Sequence, residues 1–278
     1  MRTLIIVNDS PHTEGVLQCS AQILAKSNAE STIMVVVPNN QPEELQQAET
    51  ILRQAYDQIG ISTLQKKIRI GSLVKEILTE TKETDYELLI LGCLTYPRSD
   101  CLNAKSPFAQ IVEGVPNSTL IVRGLLPRIQ RILLCDSGSS SAQSIKNFTA
   151  QLADLIDGQE QITILHVMSQ ISAGPGIQGE ELRSDAEELI SAQSLEGNLL
   201  ERDIEELKQS GVHPAPMIRH GLVVDEILEE AQSGEYDLVI IGAHMPVGWQ
   251  KFLLDNLARK LVTQIDRSIL IVKPKTGS

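Results

Sequence analysis

The chain has 278 residues, a formal net charge of −12 and a pI near 4.9. That balance repels phosphate backbones and anionic lipid, so neither nucleic acid nor a bare membrane surface is an expected partner. Hydrophobic residues make up 42% but aromatics only 3%, which predicts a core of Leu, Ile, Val and Ala, the composition of a buried parallel sheet covered by helices.

In chain order, Met1 to Asp9 reads as a first strand that reaches a polar turn too soon for a secretory signal. No apolar run approaches the ~20 residues of a membrane span, and the expectation is a soluble, cytoplasmic protein. A helix is predicted over Glu43–Ile59. Residues 68–92 then read IRIGSLVKEILTETKETDYELLILG, a strand, a turn at Gly71, a helix and a second strand ending at Gly92. The run Leu120–Arg123 closes this half, and Gly124 and Pro127 break regular structure.

The order then repeats. Ile132–Cys135 is an apolar run ending at Asp136, and Ser139, Ser140 and Ser141 offer caps for a helix through Ile156. Ile162–Met168 is a strand, Glu180–Lys208 one long helical pattern stopped by Gly211, and Ala215–Arg219 a strand before Gly221. Val223–Ala231, Leu238–Ile241, Gln250–Ile265 and Ile269–Val272 complete a helix, strand, helix, strand series.

Residues 218–242 read IRHGLVVDEILEEAQSGEYDLVIIG and match 68–92 without a gap at a constant offset of 150. Arg69/Arg219, Gly71/Gly221, Glu76/Glu226, Ile77/Ile227, Tyr86/Tyr236 and Gly92/Gly242 are identical. Duplication is the economical explanation. Aligning Asp9 with Asp136, an offset of 127, leaves 23 extra residues in the second copy, placed between 168 and 213. The predicted domains are 1–124 and 128–278, each doubly wound, with right-handed crossovers over a five-stranded parallel sheet. A ligand crevice is expected at the carboxyl ends of strands one and four, where strand order reverses.

Several features together resemble the universal stress protein family. They are a first strand ending in Asp-Ser (Asp9-Ser10, Asp136-Ser137), Leu165-His166-Val167 in strand two, Arg-x-Gly before helix three, an acidic-Tyr-acidic entry to strand four, and a closing Leu-Ile-Val-basic strand. The resemblance implies two Rossmann-like domains of the adenine-nucleotide α-hydrolase type, with ATP or AMP as the ligand class. It places Asp9 and Asp136 with Val37 and Val167 against the adenosine part. The family loop Gly-x2-Gly-x9-Gly-Ser/Thr maps onto Gly242, His244, Gly248 and Asn256 in copy two, and onto Gly92 and Ser106 in copy one.

The loop departs from that pattern. Met245 stands at the second glycine, and Asp255-Asn256 replaces Gly-Ser. Copy one keeps only Gly92 and the Ser106 hydroxyl, with Lys105 as a compensating cation. A carboxylate beside phosphates costs on the order of 1 kcal/mol or more. The leading expectation is therefore a non-enzymatic stress-response or regulatory protein, acting through small-molecule sensing or protein partners, with no certain cofactor. Two alternatives stay open: an ATP- or AMP-binding member with slow hydrolysis, and a soluble regulatory subunit of a membrane transporter. The resemblance also implies that the last strands, 118–123 and 268–273, pair the two copies as an internal dimer that can dimerise again.

Other motifs have plainer readings. Gly174-Pro175-Gly176-Ile177-Gln178-Gly179 fits G-x-G-x-x-G but does not follow a strand directly, and reads as a loop. No arrangement of His12, His166, His213, His220 or His244 with a nucleophile repeats between copies, so no catalytic residue and no metal site is expected. Cys19, Cys93, Cys101 and Cys135 read as buried thiols, and the lone Trp249 as packing.

Overall fold

The computed structural model describes residues 1–27, 29–92, 106–136, 142–156, 161–168, 185–209, 211–242 and 259–273. The chain divides into two compact units, the first reaching Arg128 and the second beginning at Ile129.

Unit one contains β1 (Thr3–Ile6), α1 (Thr13–Leu24), β2 (Ser31–Val37), α2 (Pro42–Ile59), β3 (Leu64–Ile70), α3 (Leu73–Glu83), β4 (Leu88–Gly92), α4 (Pro107–Gly114) and β5 (Ser118–Val122). All strand pairs are parallel, in the order β3-β2-β1-β4-β5. Every residue of β1, β4 and β5 is buried. Helices on both faces leave no solvent side, so these strands read as continuous apolar runs rather than alternating ones.

The helices are started and stopped by local chemistry. α2 has Pro42 in its first turn, where a missing N–H costs nothing, and Glu43 and Glu44 beside the positive end of the helix dipole. It buries Ala48, Leu52, Ala55 and Ile59, one stripe at helical spacing, and ends at Gly60 with φ +70°. Each fully buried Leu or Ile contributes roughly 1.5–3 kcal/mol.

Unit two repeats the order with β6 (Arg131–Asp136), α5 (Ala142–Ile156), β7 (Gln161–Met168), α6 (Ala186–Ser191), α7 (Leu195–Gln209), β8 (Ala215–His220), α8 (Val223–Ser233), β9 (Leu238–Gly242), a helical stretch at 259–264 and β10 (Ser268–Val272). Its strands are parallel in the order β8-β7-β6-β9-β10. No helix of the described residues is long and apolar enough to cross a membrane.

Two sequence expectations are corrected. The single helix over Glu180–Lys208 is two helices within its described part. Asp185 caps α6 in a reciprocal box with Glu188, Gln193 takes φ +53°, and α7 starts at Leu195. Gly197 lies so close to the Leu189 carbonyl that a Cβ would stand 2.1 Å from its oxygen. This close crossing bends the chain back where apolar periodicity alone suggested continuity.

The second correction is the register of strand one. Thr3 pairs Leu88 and Ile132 pairs Leu238. With Leu88 and Leu238 already matched at 150, Thr3 corresponds to Ile132, an offset of 129 rather than 127. The flanking contacts agree. Arg2 O accepts from Glu87 N–H and Arg131 O from Asp237 N–H, and Arg2 lies 5.6 Å from the Tyr86 ring centroid as Arg131 lies 5.7 Å from that of Tyr236. Strand two is offset by 131, because Val35 and His166 face the matched Ile68 and Ile218. The extra length of unit two is therefore 21 residues, the difference between 150 and 129, with two of them before β7 and 19 after it.

Candidate functional site

In each unit, strand order reverses between the first and fourth strands, so the crevice opens at the carboxyl ends of β1 and β4, and of β6 and β9.

In unit one the turn after β1 is closed by its own side chains. Thr13 Oγ1 donates to Asn8 O at 2.6 Å, and Thr13 N–H donates to Ser10 O at 3.1 Å. Asp9 is exposed, and its Oδ2 accepts from Gln47 Nε2 of α2 at 3.0 Å. Gly92 faces the first turn of α1. A Cβ there would lie 3.1 Å from both His12 Cβ and Val16 Cγ2, so the close approach of that helix leaves little room for a side chain at this position. Val37 is buried, and its carbonyl accepts from Gly71 N–H at 2.8 Å. Ser106 is buried and caps α4, its Oγ accepting from Ala109 N–H at 3.1 Å. The fold brings Asp9, Gly92 and Val37 to one end of the sheet and engages each of them, together with Ser106, in an internal contact.

In unit two, Asp136 ends β6 opposite His166, half-buried Val167 stands opposite Arg219, and Gly242 ends β9 opposite Val272. His244, Gly248 and Asn256, with Met245, Trp249 and Asp255, lie outside the described residues. So do Cys93, Cys101, Lys105, Ser139 to Ser141 and the glycine motif at 174–179.

The strand registers also correct two pairings made from sequence. Val7, not Asp9, corresponds to Asp136, and Asp9 falls two residues further along the chain. Val36, opposite Arg69, corresponds to Val167, while Val37 corresponds to Met168. The hydrogen bonds confirm this, because Gly221 N–H donates to Met168 O as Gly71 N–H does to Val37 O.

The residues most alike in the two copies form a joint that the sequence analysis did not foresee. In unit one Glu80 is buried. Its Oε2 accepts from Arg69 Nε at 2.7 Å and pairs with Lys67 at 2.5 Å, and its Oε1 accepts from Tyr86 OH at 2.8 Å. Arg69 also meets Glu76 at 3.3 Å, and Glu83. Tyr86 OH reaches Thr32 Oγ1 at 2.9 Å, and the Tyr86 carbonyl accepts from Asn117. In unit two Arg219 meets Glu226, Glu229 and buried Glu230, which accepts from Tyr236 OH at 2.8 Å. Gly71, at φ +145°, leaves room for Glu76: a Cβ would stand 2.8 Å from its carboxylate oxygen, and one on Gly221 would stand 2.3 Å from that of Glu226. The Arg-x-Gly motif is thus explained by packing. The identities at Arg69, Gly71, Glu76 and Tyr86, read together at one offset, were the signal for it.

Electrostatics follow from this geometry. Burial raises the Glu80 carboxyl, but hydrogen bonds from Lys67, Tyr86 and Arg69 outweigh it and hold the group below the usual carboxylate value. Burial raises Tyr86, and the Glu80 carboxylate adds to that rise. A second cluster belongs to unit two alone. Lys146 of α5 is buried against Asp203 of α7 at 2.7 Å, and against Glu206. Burial lowers the Lys146 ammonium, and the two carboxylates more than reverse it. Cys19 is fully buried, which pushes its thiol up to about 12, and Cys135 is also buried. Among the described residues no group of three or more His, Cys, Asp or Glu is placed to hold a metal.

The model of the universal stress protein family matches residues 128–273. No curated protein matches the chain. Among solved structures, a functionally unknown protein from Pseudomonas aeruginosa PAO1 is 16% identical with a TM-score of 0.71, covering 99% of this chain and 93% of that one. A universal stress protein from Archaeoglobus fulgidus DSM 4304 is 14% identical with a TM-score of 0.67, covering 98% and 96%. Identities this low speak for the shared fold alone.

Proposed function

The chain belongs to the universal stress protein family, and from that premise we propose that it is a non-enzymatic stress-response protein, acting through small-molecule sensing or protein partners rather than ATP turnover. One observation carries this reading. In unit one, the positions that the family resemblance assigns to a nucleotide are already in use: Ser106 as a helix cap, the Val37 carbonyl by Gly71, the space over Gly92 by α1, and Asp9 by Gln47. In unit two the sequence puts Met245 and Asp255-Asn256 where phosphate-binding residues are expected. The side-chain bulk and the negative charge both oppose a triphosphate.

A second reading is favoured by Asp136, which ends β6 beside the strand that carries Val167. On this reading unit two holds an adenine nucleoside or AMP, with no cradle for further phosphates.

The test is mass spectrometry of the small molecules released on denaturing the gently purified protein, with calorimetric titration of ATP and AMP. The proposal expects no ATP near one per chain and no ATP hydrolysis above background. ATP recovered in near-equal amount to protein would overturn it, and AMP alone at one per chain would establish the second reading.

A further inference from the structure

The outer edges of the two units differ at one matched position. β3 has no strand beyond it among the described residues. Gly71 N–H donates inward to β2, so strand alternation turns the backbone N–H and C=O groups of Lys66, Ile68 and Ile70 outward. β8 is the equivalent edge of unit two. Gly221 N–H donates inward there, so the outward set is Pro216, Ile218 and His220. Position 216 corresponds to 66 at the constant offset of 150. Proline offers no N–H, so that edge lacks an outward donor near its amino end, at the second residue of β8, and is less open to another strand. Lys66 keeps its donor.

A groove of about 660 Å³ lies beside the open edge, between Glu49, Thr50 and Arg53 of α2 and Lys66 and Ile68 of β3, with buried Leu52 also lining it. Lys66 and Ile68, which belong to the outward-bonding set, are also part of the groove's lining. Arg53 and Lys66 have no carboxylate at ion-pair distance among the described residues, unlike Lys67 and Arg69 of the same strand. Lys66 Nζ instead lies 4.6 Å from the Tyr56 ring centroid. Two cations against the single carboxylate of Glu49 give the groove lining an excess of positive charge in a chain of net charge −12, which favours carboxylates over cations as its occupant.

We infer that the β3 edge of unit one docks an extended acidic segment of a partner protein, which adds as one more strand with its acidic side chains toward Lys66 and Arg53. This rests on the reading that the chain acts through protein partners. A second copy of the chain is the poorer occupant. A fully overlapping antiparallel pair of Leu64–Ile70 segments would set Lys67 directly against its counterpart and Lys66 against Ile68, and like charges across a strand pair repel.

The test uses the full chain and short synthetic peptides of alternating valine and glutamate, or valine and lysine. Fluorescence anisotropy reads affinity, and NMR amide exchange reads the edge. The glutamate peptide is expected to bind at least about tenfold more tightly than the lysine peptide, and less tightly as salt rises. It should slow exchange at the Lys66, Ile68 and Ile70 amides. Lys66→Pro reproduces the other edge and spares the bonds to β2, so binding should vanish. Lys66→Glu should weaken it about tenfold and decides the matter if circular dichroism shows the proline variant unfolded. Equal affinity for the two peptides, unchanged exchange at those amides, or self-association through this edge would overturn the inference. ATP titration of the same samples reads the proposed function separately. Nucleotide binding there leaves the edge result standing, and an edge that fails leaves the nucleotide result untouched.

Discussion

Replacing Glu80 by glutamine removes one charge from the buried joint of unit one and almost no volume. The carboxylate takes hydrogen bonds from Arg69, Lys67 and Tyr86. Bonds to a charged group are worth about 1.5–3 kcal/mol each, but they do not simply add here. Arg69 keeps Glu76 and Glu83, Tyr86 keeps Thr32, and Lys67 is 39% exposed and rehydrates. The net loss is about that of one such bond and part of another, roughly 3 kcal/mol at neutral pH. The pH dependence has a definite sign. The folded carboxyl sits below its ordinary value because its donors outweigh burial. Its contribution is therefore complete above the unfolded pKa of about 4.3 and disappears as pH falls through the lower folded value. A protonated Glu80 resembles the glutamine, so wild type and variant should converge in acid. Hydrogen exchange of unit-one amides measures the difference, with the Glu230 joint of unit two as internal reference. A loss under about 1 kcal/mol at neutral pH, or one that persists undiminished at about pH 3, would refute the reasoning.

Three further outcomes follow from the same contacts. Gly71→Ala should cost about 1–3 kcal/mol in urea unfolding, because φ +145° suits glycine and a Cβ would press on the Glu76 carboxylate. Ser106→Ala should cost about 1 kcal/mol, the worth of a helix cap, and leave ATP and AMP titrations unchanged; a selective loss of nucleotide binding would restore the ligand role. Lys146→Met should destabilise unit two by about 3 kcal/mol, since buried Asp203 loses its buried cation and keeps the half-exposed Arg202 at 3.3 Å. Adding Asp203→Leu should recover part of that loss in the same urea melts, and no recovery would argue against a buried pair.

The fold was legible because each apolar run is long enough to name a strand and each strand is followed by a helical stripe. Register was less legible. Ile5-Ile6-Val7 slides by two residues, from Ile132-Leu133-Leu134 onto Leu134-Cys135-Asp136, and keeps two of its three apolar matches, because a strand buried on both faces has no polar side to fix its phase. The fixed points were Arg2 and Arg131, each stacked on the tyrosine that precedes strand four, and an arginine opening a strand gives no hint of that contact. The break between α6 and α7 was equally hidden, since Leu189, Leu195 and Leu199 continue the helical spacing across Gln193. At the site, Gly92 and Ser106 were read as ligand groups because glycine and serine suit phosphate contacts. The same residue types suit a close helix approach and a helix cap, and residue type alone does not separate the two uses.

The arginine–glutamate–tyrosine joint occurs in almost the same form in both units. When a coding segment is doubled, the parts that keep each copy standing cannot drift without collapse, whereas the parts that meet the outside world are free to part ways. Likeness between the halves of such a chain is thus a record of load and support. Where position 66 is lysine in one half and position 216 is proline in the other, the disagreement is the better guide to what each half has been asked to touch.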